Sequence, residues 1–95
     1  MNDLRRMTIF CDIDGVLVRH CGSQSEQLKH WDEMDALPDV LKRIDEWDRA
    51  GHLLILTTGR KECLREITEK QLSKLGIYYD RILYGITSGP RVLIN

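Results

Sequence analysis

Along this chain, unbroken apolar runs of strand length alternate with stretches in which apolar residues recur at helical spacing. Residues 7–11 form a short apolar and β-branched run without strict polar alternation, the pattern of a strand buried on both faces. The run ends at Asp12. In "LPDVLKRIDEWDRAG", Val40, Leu41, Ile44 and Trp47 make one apolar stripe, with Pro38 in the first turn and Gly51 where a helix would stop; the spacing predicts a helix over about residues 38–50. "HLLILTT" is a second buried run of strand length. A second helix is expected from Gly59 and Arg60 through Cys63, Leu64, Ile67, Leu72 and Leu75 to a terminating Gly76. Residues 78–84 and 91–94 then read as two short strands joined by "GITSGP", which is turn chemistry.

This alternation predicts a doubly wound, Rossmann-like α/β fold. Its sheet is mainly parallel, of about four strands, with two main helices and right-handed crossovers. Residues 18–35 are polar, with Leu28, Trp31 and Met34 as the only large apolar anchors, and read as a flap or loop insert rather than a large cap. With 95 residues, no repeat and no Pro- or Ser-rich linker, the chain is expected to be one domain spanning 1–95.

Composition narrows the functional classes. Fourteen Lys and Arg against fifteen Asp and Glu leave a formal net charge of −1, without the basic excess that tracks nucleic acid or holds an anionic membrane. No apolar run approaches the roughly 20 residues of a membrane span. Asp12 and Asp14 interrupt the amino-terminal apolar stretch, so no signal peptide is expected, and the chain reads as cytoplasmic. Three cysteines at unrelated spacings are poor material for disulfides, and His20, Cys21, His30 and Cys63 lack the ligand spacing of a zinc site. The expected partner is a small molecule, without nucleic acid or membrane.

Two carboxylates at the end of an apolar strand require another explanation, because a buried charge is costly unless paired. In parallel α/β sheets, ligands bind beyond the carboxyl ends of the strands. Asp12 and Asp14 end the first strand, Thr57 and Thr58 end the second, and Gly15 allows a turn that a side chain would obstruct. Gly59 and Arg60 follow at a helix start, which favours an anion. Carboxylates facing anion-binding groups call for a cation between them, and magnesium with a phosphate ester is the economical solution.

"DIDGV" after an apolar strand, followed by "LLILTTGR", resembles the haloacid dehalogenase superfamily of phosphatases and phosphotransferases over nearly the whole chain. The short form and the tail "YYDRILYGITSGPRVLIN" are similar to small capless phosphatases of surface-polysaccharide and sugar-phosphate metabolism. The resemblance implies a magnesium-dependent phosphatase acting on a small phosphate ester, with Asp12 as the nucleophile that becomes an aspartyl phosphate. Asp14 is then the general acid and base, and magnesium is held by the Asp12 carboxylate and the Asp14 backbone carbonyl. Thr58, with Thr57 as second candidate, would bind a phosphoryl oxygen beside Gly59 and Arg60. The family's lysine position is taken by Ile86, which leaves Arg91 as the nearest cation. The final acidic pair of the family pattern is absent before Asn95, so the domain is expected to be incomplete there and the metal site short of a ligand. Two other classes remain: an inactive or incomplete relative that only binds metal and phosphate, and a receiver-type phospho-acceptor domain. The receiver's order of motifs differs, and nothing after "LLILTT" supplies its acceptor aspartate.

Overall fold

The computed structural model describes residues 5–18 and 35–95. Strand β1 (Thr8–Asp12) leads, by way of a tight turn, to helix α1 (Val40–Arg49), strand β2 (Leu53–Thr57), a 3-10 turn (Glu62–Leu64), helix α2 (Arg65–Leu75) and strand β3 (Arg81–Leu83). The three strands form one parallel sheet in the order β1-β2-β3. This is the expected α/β architecture, with two main helices as crossovers.

Its strand count is lower than the pattern implies. Of residues 78–84 only Arg81–Leu83 pair as a strand, because Asp80 ends the ladder with its side chain. The Leu54 amide donates to Asp80 Oδ2 at 2.8 Å while the Asp80 amide donates to the Leu54 carbonyl at 2.9 Å. Residues 91–94, expected as a fourth strand, have no ladder partner among the described residues, and Val92, Leu93 and Ile94 are 81%, 77% and 92% exposed. β propensity describes fit to a half-buried pleated surface; here Val92 and Leu93 border an open cleft instead. The helices begin later than the pattern predicts, α1 at Val40 and α2 after the 3-10 turn, and α2 ends where expected, at Gly76 in the left-handed conformation (φ 75°).

Strand order fixes where the core lies. Two right-handed crossovers stepping the same way across a sheet put both helices on one face. The register places Ile9 beside Leu54, and Leu56 between Cys11 and Ile82, on that face. These residues pack with Ile44 and Trp47 of α1 and with Leu72 and Leu75 of α2. Ile13, Leu17 and Val18 close the upper end of the same cluster. The opposite face carries Phe10, Ile55, Thr57 and Leu83, and Phe10 there is 53% exposed.

The expected 18–35 insert lies largely outside the described residues. Its neck is formed by a bridge between Val18 and Ala36 and by the Leu37 amide donating to the Leu17 carbonyl at 2.8 Å.

Candidate functional site

The site starts from the register of β1 and β2, which sets Asp12 directly beside Thr57 at the carboxyl end of the sheet. The Thr57 hydroxyl donates to Asp12 Oδ1. Thr57 is buried while the Asp12 side chain remains 46% exposed, so the carboxylate is oriented from below and open above. After Asp12 the chain turns sharply. The Leu17 and Val18 amides donate to the Ile13 carbonyl at 2.9 and 3.1 Å, and Gly15 takes φ 81°, a conformation L side chains resist. The turn brings Asp14 back over the edge of the sheet toward Arg60.

Arg60 is 4% exposed. Its Nε donates to Asp14 Oδ2 at 3.1 Å and its Nη2 to Asp14 Oδ1 at 2.7 Å, a bidentate pair. Nη1 donates to Thr68 Oγ1 at 3.1 Å and to Gln71 Oε1 at 2.8 Å, both on α2. The guanidinium expected to meet a phosphate thus has protein acceptors on both sides. Thr58 is buried, and its hydroxyl oxygen accepts the Arg60 amide at 3.0 Å, which shapes the 58–60 turn. That turn packs against the segment after β3: Gly85 N–H donates to the Arg60 carbonyl at 2.9 Å and Ile86 N–H to the Thr58 carbonyl at 3.0 Å. A Cβ on Gly59 would stand 3.2 Å from the Ile86 carbonyl oxygen, so the close approach favours glycine.

Arg91 supplies the cation beside Asp12. Its Nη2 lies 3.6 Å from Asp12 Oδ1, while Nη1 donates to the carbonyls of Thr87 and Gly89 at 2.8 and 2.7 Å. The loop therefore aims the guanidinium at the carboxylate. Asp12, Thr57, Ile86 and Arg91 line an open cleft of about 670 Å³, with Phe10 and Val16 among its apolar walls. Beneath the site, burial and the neighbouring Asp12 charge push the Cys11 thiol up from its ordinary pKa, as suits a core residue.

Asp12, Asp14, Thr57, Thr58, Gly59, Arg60 and Arg91 all gather at this end of the sheet. Thr68 and Gln71 escaped the sequence reading, although a signal existed. With Leu72 and Leu75 they fall at i, i+3, i+4 and i+7, so two polar residues share the helix's buried stripe.

No group of three or more metal-ligating side chains occurs among the described residues. One open carboxylate beside a backbone turn nevertheless fits magnesium, which commonly takes one or two carboxylates and completes its octahedron with water and phosphate oxygens.

No family model and no curated protein matches the chain. Among solved structures, it is similar to a chain of the Pnkp1/Rnl/Hen1 complex, with 29% identity over 90% of this chain and a TM-score of 0.71. A chain in a second structure, of the Pnkp1/Rnl/Hen1 RNA repair complex, gives the same identity, coverage of this chain and TM-score. This chain spans under a third of the length of either, 30% and 28%. The likeness overturns the expectation of a small-molecule partner without nucleic acid, since the similar chains belong to an RNA repair assembly with protein partners. A net charge of −1 reports only the long-range field of the whole chain, so it does not decide whether a phosphate group is held at short range.

Proposed function

We propose that this chain is a phosphatase domain of the haloacid dehalogenase type that removes a terminal phosphate from a nucleic acid. The observation that carries this reading is the pairing of Asp12 with Thr57 at the carboxyl end of the sheet, with Arg91 aimed at Asp12 and Asp14 held by Arg60. The likeness to chains of an RNA repair complex supports a nucleic-acid substrate.

In this reading an Asp12 carboxylate oxygen forms a bond to phosphorus as the ester P–O bond breaks. Asp14, once protonated, gives that proton to the leaving hydroxyl from one oxygen while the other still accepts from Arg60. Water then attacks the aspartyl phosphate, Asp14 accepts its proton, and inorganic phosphate leaves with Asp12 restored. Arg91, aimed at Asp12, offsets the charge of the transferring group, and such electrostatic stabilisation is the larger part of catalysis in phosphoryl transfer. Magnesium, held by the Asp12 carboxylate and the Asp14 carbonyl, supplies further charge neutralisation when bound.

The test is phosphate release from 3′- and 5′-phosphorylated oligoribonucleotides, compared with a sugar phosphate, with magnesium and with chelator. Magnesium-dependent release from an oligonucleotide, abolished in Asp12→Asn, is the expected result. Release from the sugar phosphate alone, or turnover retained by Asp12→Asn, would overturn it.

A further inference from the structure

Helix α2 spends two positions of its buried stripe on polar side chains. Thr68 is 0% and Gln71 1% exposed. Polar groups in such surroundings destabilise a fold unless they are hydrogen-bonded, and both accept from the same atom, Arg60 Nη1. The rest of that guanidinium is committed to Asp14. A bidentate ion pair fixes two planar groups relative to each other, yet it does not fix the pair relative to the sheet. Arginine's long side chain has several rotatable bonds, and Asp14 stands on a turn. Two acceptors one helical turn apart supply the missing reference, because α2 packs on the sheet through Leu72 and Leu75.

We infer that Thr68 and Gln71 are positioning residues which, through Arg60, set where the Asp14 carboxylate stands above Asp12 and so how efficiently it protonates the leaving group. This rests on the proposed role of Asp14 as general acid. Neither residue touches substrate, so their loss appears in kcat rather than KM. It also depends on the leaving group. A nucleoside hydroxyl is a poor leaving group and departs only with a proton; nitrophenolate leaves unaided. Misplacing Asp14 therefore slows the first ester and spares the second.

The experiment uses Gln71→Leu and Thr68→Val, which keep shape and remove the acceptor, beside Gln71→Glu and Thr68→Ser, which keep an acceptor. In the first two, the ratio of kcat on a phosphorylated oligoribonucleotide to kcat on p-nitrophenyl phosphate is expected to fall roughly tenfold to a hundredfold, the scale of a small misplacement. The second two stay near the parent. Thermal melts exclude unfolded variants. In parallel, the Arg60 Nε–Hε signal in nitrogen-15 NMR reads the anchoring without turnover: slowly exchanging in the parent, the Ser and the Glu variants, faster in Leu and Val. Equal slowing of both esters, or none, overturns the positioning role. An Arg60 signal indifferent to both substitutions overturns the anchoring even with turnover intact. A parent that releases phosphate from neither ester overturns the reading of the site instead, and the catalytic half of this inference with it.

Discussion

Thr57 stands beside Asp12 in the parallel ladder and donates its hydroxyl to the Asp12 carboxylate. A threonine at a strand end is usually a pleat-filling residue; here its side chain orients the most exposed carboxylate of the site. Thr57→Val keeps the β-branched shape and removes the donor. Turnover is expected to fall by up to about a hundredfold, with Thr57→Ser close to the parent. Steady-state kinetics of both variants check this, and equal losses would assign Thr57 to packing.

In the proposed reading Asp14 has a structural and a catalytic duty, which one variant separates. Asp14→Asn removes the negative half of an ion pair whose arginine is buried. Breaking such a pair by one partner costs about 3–5 kcal/mol, expected as a lower urea midpoint. The same variant is expected to hydrolyse esters of poor leaving groups some hundredfold to ten-thousandfold more slowly. Activated aryl esters suffer less, measured by rapid quench under conditions where the variant is folded.

The sheet has unequal faces. Leu56 is fully buried in the cluster that also holds Ile44 of α1 and Leu72 of α2, and its truncation to Ala is expected to cost about 2–5 kcal/mol. Phe10 lies on the other face, half in solvent, and Phe10→Ser is expected to cost under about 1 kcal/mol, close to a surface substitution. Urea unfolding of the two variants gives the comparison directly. A Phe10 cost matching that of Leu56 would mean that the opposite face is covered.

Alkaline pH tests the contact between α2 and the segment after β3. The Tyr84 hydroxyl donates to Glu69 at 3.4 Å, and Arg65 lies over the Tyr84 ring at 4.6 Å. Burial first, and then the Glu69 charge, push the Tyr84 phenol up to about 12, above its ordinary value near 10. The folded state thus holds the proton more tightly. The contribution is complete below about pH 10 and is lost as pH rises toward about 12. Burial pushes the Tyr79 phenol up as well, so phenolate absorbance is expected to lose its latest-titrating component in Tyr84→Phe, and that variant to flatten this part of the stability profile.

Much was legible from local pattern, because local pattern is what secondary structure answers to. The apolar runs ending at Asp12 and Thr57 are β1 and β2. The Val40–Ile44–Trp47 stripe is α1, and Gly15 and Gly76 take the positive φ that their positions require. The gathering of the candidate site residues was legible for the same reason: parallel strands expose their carboxyl ends to ligands, so polar residues closing apolar runs meet there. The fourth strand was not legible, since a strand exists only against a partner edge, and β propensity at 92–94 carries no information about whether an edge is in reach.

Local pattern therefore encoded β1, β2, the two helices and the end of the sheet at which Asp12, Asp14, Thr57 and Thr58 gather. Tertiary structure alone decided what Arg60 does. A helix start beside a phosphate-like site argues for an arginine facing the anion, but the packing of α2 set Thr68 and Gln71 behind it and the turn at Gly15 set Asp14 in front. A guanidinium binds whichever acceptors converge on its fork, and convergence of residues far apart in the chain is a property of packing that no local spacing encodes.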